Sequence, residues 1–416
     1  MAGRRRREKS RRRLLLLSPF VPHLDAAMGG PVVIAGLITA LSQHESIALL
    51  YVRGDGEPDI DPRVADACEL TVEVRRSEGQ RRLGKAAAAA LSALRGTPGW
   101  VAEWRVPEYA ARLRALNLEW QPDMVQAEFH LMCQYIPSLG PNRPPTVLNH
   151  HEPGAEAIAD RRRAGLLRGR IMPALEERAW RQYERSMANQ IDAIVAFTER
   201  DRAAILRTCP NARVEVISPG ARLTESALSA TGCGHPQLLF FGNYLHAPNV
   251  DAALRLGRDI FPRISGENAE AGLWLVGDRP PPELEQLASD CICVPGRVGD
   301  LTPYLDAAVA VIVPLRIGGG MRVKVLETLV AGKALIASRL AVVGLDLVDG
   351  EHALLAETDD EFARAALWLL ANPAQRAALG RRARGWAQSH LCWEHTAERY
   401  AALHEDLLAR RGEARK

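Results

Sequence analysis

Short, wholly apolar runs alternate along the chain with longer stretches whose apolar residues recur at helical spacing, which predicts a repeated strand–helix plan. LLLLS (14–18) is followed by a Pro/Gly loop, and Pro31 opens a helical pattern through Leu41. SIALLYV (46–52) is the next strand. Residues 81–120 hold an alanine run and an Arg/Leu pattern at helical spacing, interrupted by Pro98. Strands return at DMVQAE (123–128), TVLNHH (146–151), DAIVAF (192–197) and VEVIS (214–218), with a long Arg/Glu-rich helix near 172–190. A second series places strands at QLLFFGN (237–243), GLWLVGD (272–278), ICVPG (292–296), AVAVIVP (308–314) and ALIAS (334–338). After Asp359 the pattern is helical to near Leu408. Buried apolar strands alternating with helices, without hairpin turns, predict an α/β chain with parallel sheets covered on both faces.

The polar, Pro/Gly-bounded stretch 219–236 separates the two series and reads as a linker between domains spanning 14–218 and 237–384. A length of 416 residues suits two or three domains, and 47% hydrophobic with 25% charged residues excludes disordered, collagenous and disulfide-scaffold chains. The net charge of +3 is uneven. Residues 2–13 contain seven Arg, one Lys and one Glu, a local charge of +7, so the remainder is mildly acidic. That remainder is a poor nucleic-acid binder. Residues 1–13 read as a disordered basic arm, either solvated or drawn to anionic lipid headgroups. The apolar stretch after it stops at Ser18-Pro19, too short for a signal peptide, and no window reaches the roughly 18 apolar residues of a spanning helix. A cytoplasmic chain with peripheral membrane contact at most is expected. Seven scattered cysteines fit reduced thiols, with Cys291 and Cys293 expected to pack in the core of a strand.

Candidate chemistry concentrates in PLRIGGGMRVKVLETLVAGKALIAS (314–338), which reads strand, glycine loop, helix, glycine cap, strand. Gly318, Gly319 and Gly320 allow close backbone approach to a ligand, and the helix that follows points unpaired N–H groups into the same space. Arg316, Arg322 and Lys324 surround that helix start, and Glu327 lies one turn on from Lys324. Cations and amides suit a diphosphate, and a carboxylate suits a ribose diol. In the first half, Gly29 and Gly30 follow the first strand, while His150, His151 and Glu128 stand at strand ends, where open α/β sheets bind ligands. The basic run Arg161 to Arg163, with Arg168 and Arg170, reads equally as a solvated helix or a membrane-surface patch. Asp59-Ile60-Asp61 has the spacing of a metal-binding D-x-D but lies in a Pro-bounded loop without flanking strands, so no catalytic metal is expected.

The 314–338 segment resembles the donor-site motif of retaining glycosyltransferases of the GT-B fold, the family 4 group, and more closely the bacterial sugar transferases with P-L-R-x-G-x-G-x-R-x-K-x-L-E. LLFFGNYLHAPNVDAA (238–253), LWLVGD (273–278), VPGRVGDLTPYL (294–305) and WEHTAERYAAL (393–403) occur in the order of that family. The resemblance implies two Rossmann-like domains facing across a cleft, and a C-terminal helix, 385–410, crossing back to the first domain. It implies transfer of a sugar from a nucleotide-diphosphate sugar to a glycan, lipid-linked or small-molecule acceptor, with no further cofactor. An epimerase of the same fold and a non-catalytic nucleotide-sugar-binding subunit are the alternatives. It puts the nucleobase beside Gly296, Arg297 and Val298, the ribose on Glu327, the diphosphate by Gly242, Arg316, Lys324 and the amides after Gly320, and a sugar-contacting His at His151 rather than His150. Two departures stand out: Gly319 replaces the first carboxylate of the family's E-x7-E, and GNYLHAPN after Gly242 lacks the Arg and Lys of many relatives.

Overall fold

The computed structural model describes residues 11–26, 29–77, 96–163, 171–221, 227–229, 235–318 and 322–414. Among these, β1 (Arg12–Ser18), β2 (Glu45–Gly54), β3 (Leu70–Arg76), β4 (Met124–Glu128), β5 (Thr146–His150), β6 (Ala193–Ala196) and β7 (Val214–Val216) form one sheet in the order β3-β2-β1-β4-β5-β6-β7. A second sheet takes β8 (Gln237–Phe241), β9 (Gly272–Val276), β10 (Ile292–Gly296), β11 (Ala308–Val313), β12 (Ala334–Ala337) and β13 (Leu354–Leu355) in the order β10-β9-β8-β11-β12-β13. Every strand pairing in both sheets is parallel. In each sheet the strand order reverses beside the first strand of the series, between β1 and β4 and between β8 and β11. Such switch points open a crevice at the carboxyl ends of the strands.

The helices that shape the site are α1 (Gly29–Leu41), α2 (Gly154–Arg163), α3 (Glu199–Thr208), α4 (Ala247–Arg255), α5 (Val323–Val330) and α6 (Trp393–Ala414). Burial explains the apolar runs. On β1, Leu14 and Leu16 pack with Ile34 and Ile38 of α1 and Tyr400 and Leu403 of α6, while Leu15 and Leu17 join Tyr109 and Leu113 on the opposite face. A strand covered on both faces is apolar at every position.

Several expectations are corrected by the structure. Strand β1 begins at Arg12, so the basic arm is shorter than residues 1–13. The Arg13 amide donates to Asp123 at 2.9 Å and its guanidinium to the Trp120 carbonyl at 2.8 Å, while Arg12 reaches the Ala401 carbonyl at 3.1 Å. Cys291 and Cys293 are exposed, because β10 is an edge strand on which Ile292 takes the inward position. Strands β3 and β13 are additional to the expected set; the sequence of β3, LTVEVRR, is half polar because it lies at the other sheet's edge with only Val74 fully buried.

No single helix spans 385–410: one ends at His390, and α6, starting at Trp393, packs on the first domain. Trp393 lies against Gly36 of α1 and Gly220, and a Cβ on Gly36 would fall 2.3 Å from the indole, so that approach requires glycine. Deeper in, His404 and Glu45 are both buried, with His404 Nδ1 3.0 Å from Glu45 Oε1 and Arg12 Nε 3.4 Å from the same oxygen. Among the described residues, no helix is long and apolar enough to cross a membrane. Glu45→Ala leaves His404 buried without its acceptor, and we expect a loss of about 3 kcal/mol in unfolding free energy, read by urea denaturation.

Candidate active site

The two switch points face one another across a cavity of about 240 Å³, lined from the first domain by Gly29, Gly30, Phe129, His151, Glu152 and Arg161, and from the second by Gly242, His246, Gly318, Arg322, Lys324 and Glu327, among others. Gly29 and Gly30 are the first residues of α1 rather than a loop before it. A Cβ on Gly29 would sit 2.8 Å from Cγ2 of Val323, the first residue of α5, so the domains close here on a bare backbone.

His151 lies just past β5, and its position is over-determined. The ring stacks on Phe129 at 3.8 Å with an 11° tilt, and Nε2 is 2.8 Å from Glu128 Oε2. That carboxylate, wholly buried at the end of β4, also accepts from Asn149 at 2.9 Å and Gln126 at 2.6 Å. Phe129 attains the stacked position with φ of 63°, an uncommon angle for a non-glycine residue. Glu128 has the weaker claim from sequence, yet in the structure it is the group that fixes the orientation of the His151 ring. His150 does not line the cavity; its ring is buried 5.4 Å from that of His130, and burial pushes it down to about 3.

On the opposite wall, Lys324 and Glu327 project from the first turns of α5. Lys324 Nζ donates to Asn249 Oδ1 at 2.5 Å and stands 5.0 Å above the Phe240 ring. A Cβ on Gly242 would lie 3.1 Å from that ammonium. Burial pushes Lys324 down to about 7 and Glu327 up to about 7, against a smaller mutual attraction. Neither makes an ion pair with a described residue. Arg322 donates to the Gly318 carbonyl at 2.7 Å, and Arg200 of α3 reaches the same oxygen from the first domain, also at 2.7 Å.

The structure does not bring every candidate to this wall. Arg316 turns away, its guanidinium on both oxygens of Asp251 at 2.6 and 3.2 Å. Arg297 and Val298, beyond β10, are not among the lining residues. Gly319, Gly320, Arg168 and Arg170 lie outside the described residues. The basic run on α2 is largely neutralised, with Arg162 on Glu177 at 3.1 Å and Arg163 on Asp160 and Glu156 at 2.6 and 2.8 Å, while Arg161 enters the cavity. Asp59 pairs with Arg53. Asp61 caps the helix Pro62–Asp66 and is held well below the usual carboxylate range by hydrogen bonds from Arg63, so both aspartates of the D-x-D spacing already have guanidinium partners.

Four contributors escape a reading of the sequence: Glu152, Arg161, His246 and Asn249. Glu152 is visible there only as the neighbour of His151. Asn249 occurs within GNYLHAPN, and its use as a lysine acceptor needs the fold. Arg255 of α4 is a further hidden element: buried, it pairs with Asp359 at 2.7 Å and donates to the Pro314 carbonyl at 3.1 Å, which fixes the exit of β11 into the glycine loop.

Comparison with known proteins bears on the fold and the family. Residues 67–225 match the Glycosyltransferase Family 4 domain, and residues 235–372 match Glycosyl transferases group 1. No curated protein matches the chain in sequence. Similar solved structures include sucrose-phosphate synthase from Thermosynechococcus elongatus, with a TM-score of 0.71, 16% identity, and coverage of 96% of this chain and 100% of that one. Anabaena HepE in complex with UDP-glucose gives 0.64 at 11% identity, covering 95% and 99%. TarM of S. aureus, in complex with Fondaparinux, alpha-GlcNAc-glycerol and UDP, gives 0.65 at 10% identity, covering 94% and 99%. The fold is therefore GT-B. With a glycosyltransferase domain matched in each half, the chain is a glycosyltransferase of the GT-B type.

The buried carboxyl has a measurable consequence. Between pH 4.5 and about 7 the folded protein retains a proton on Glu327 that the unfolded chain has released, so this group's contribution to stability falls as pH rises through that window. Glu327→Gln removes the effect. The difference in unfolding free energy, wild type minus variant, should decline from pH 5 to pH 7; a flat difference would show that Glu327 is not desolvated.

Proposed function

We propose that this glycosyltransferase takes its sugar from a nucleoside-diphosphate sugar, UDP- or GDP-linked, and passes it with retention to a glycan, lipid-linked or small-molecule acceptor held by the first domain. The observation that carries this reading is the wall of α5: a half-buried ammonium and a half-buried carboxyl, one turn apart, at a helix start beside Gly242 and Gly318. An ammonium and helix amides match a diphosphate, and a carboxyl matches the ribose diol. HepE and TarM, whose structures hold UDP-glucose or UDP, lend support by their common fold.

In the reaction, the bond between the anomeric carbon and the β-phosphate oxygen breaks, and the oxygen keeps the electron pair. The acceptor hydroxyl oxygen bonds to that carbon from the same face and gives its proton to the departing phosphate oxygen. Lys324 and the first turn of α5 meet the charge that develops on the leaving group, an arrangement fixed before reaction. His151, locked by Glu128 and Phe129, faces the sugar side of the cavity in this reading and offers a ring of fixed orientation.

A thermal-shift screen of UDP- and GDP-sugars identifies the donor, since a ligand at 100 times its Kd stabilises by about 2.7 kcal/mol. Glu327→Ala should then weaken that nucleotide by about 1.5–3 kcal/mol in calorimetry, the range for charge-assisted hydrogen bonds. Unchanged affinity would remove Glu327 from the ribose. Incubation of labelled donor with acceptor extracts separates transfer from isomerisation of the donor, and the anomeric configuration of the product by NMR tests retention.

A further inference from the structure

The charge available to a donor diphosphate is incompletely supplied by the second domain. The loop after Gly242 reads NYLHAPN, without Arg or Lys. Arg316 is committed to both oxygens of Asp251, and Arg322 donates to the Gly318 carbonyl with the charge of Glu152 acting on it. Lys324 remains as the ammonium on that wall. A diphosphate that acquires further charge as its sugar departs is stabilised by each further cation fixed against it.

Helix α2 of the first domain carries three consecutive arginines, and the structure separates them. Arg162 and Arg163 are ion-paired along the protein surface, whereas Arg161 lines the cavity and makes no ion pair or hydrogen bond with a described residue. The helix is anchored where this matters. Asp160, the preceding residue, holds Arg200 at 2.8 Å, and Arg200 donates across the cleft to the Gly318 carbonyl at 2.7 Å. The donor loop and the turn of helix that bears Arg161 are thus fastened to one another through one guanidinium.

We propose that Arg161 contacts the β-phosphate of the donor from the first domain, opposite Lys324, so that the leaving group is held by both domains at once. This rests on the reading that the cavity takes a nucleoside-diphosphate sugar. It also assigns a function to the departure in the loop after Gly242: the cation absent from the second domain is provided across the cleft, and full leaving-group stabilisation requires the closed arrangement of the two domains.

The test compares Arg161→Ala and Arg161→Lys with wild type, as full-length chains, for binding of UDP, UMP, GDP and GMP by calorimetry. Because Arg161 has no partner among the described residues, the ligand-free unfolding midpoint of both variants should equal that of wild type. Arg161→Ala should weaken the preferred diphosphate about ten- to hundredfold, the range for losing a charge-assisted hydrogen bond, while affinity for the corresponding monophosphate changes less than twofold. Arg161→Lys should recover part of the loss. Equal losses for diphosphate and monophosphate, or none for either, in a protein whose wild type binds the diphosphate, would overturn the proposal and leave the donor reading intact. Wild type that binds none of the four would overturn the donor reading and this proposal with it.

Discussion

Lys324 and Glu327 sit one helical turn apart, both half-buried at the cavity wall, and neither makes an ion pair among the described residues. Such an arrangement costs free energy, because the hydrogen bond from Lys324 to Asn249 offsets only part of the hydration the ammonium loses. The surrounding structure maintains it nevertheless. The apolar strands of the second sheet hold the start of α5 at the switch point between β8 and β11, and Arg255 ties down the exit of β11. The first domain closes the other side through Gly29 against Val323 and Arg200 against Gly318. An ammonium and a carboxyl are thus kept at the cavity wall by well-packed scaffolds on both sides.

The two domains contribute differently to the site. The second supplies a helix start, an ammonium and a carboxyl on rigid elements. The first supplies a buried chain of hydrogen bonds, Gln126 and Asn149 to Glu128 and Glu128 to His151, which immobilises one ring at the cavity wall. Long-range closure is secured at the far end of the chain, where α6 returns to pack Tyr400 and Leu403 under β1 and pairs His404 with Glu45. Tyr400, Leu403 and Leu407 of α6 are therefore part of the first domain's core.

Much of this is legible in the sequence where a single physical constraint acts locally. LLLL at 14–17 is apolar at every position because β1 is covered on both faces, and no alternative element explains that pattern as well. Gly318, Lys324 and Glu327 are legible as a group because loop, helix start and charge spacing are all encoded within ten residues. Legibility fails where a side chain's role is decided by a distant partner. Arg316 has the right position in the motif, but Asp251, 65 residues away, captures it. Arg161 looks like one of three equivalent surface arginines until Glu177, Glu156 and Asp160 are seen to neutralise its neighbours. Cys291 and Cys293 are misplaced by the sequence pattern because nothing local distinguishes an edge strand from a central one.

If Lys324 is held at the expense of stability, binding of an anionic ligand beside it recovers that cost. The most direct measurement is the thermal unfolding midpoint of wild type and Lys324→Met at pH 6, each with and without the tightest-binding nucleoside diphosphate at saturating concentration. Methionine fills a similar volume and can pack on Phe240 without a charge to desolvate. Ligand-free Lys324→Met should be more stable than wild type, and its ligand-induced shift should be largely lost. A ligand-free variant less stable than wild type, with a ligand-induced shift as large, would contradict this.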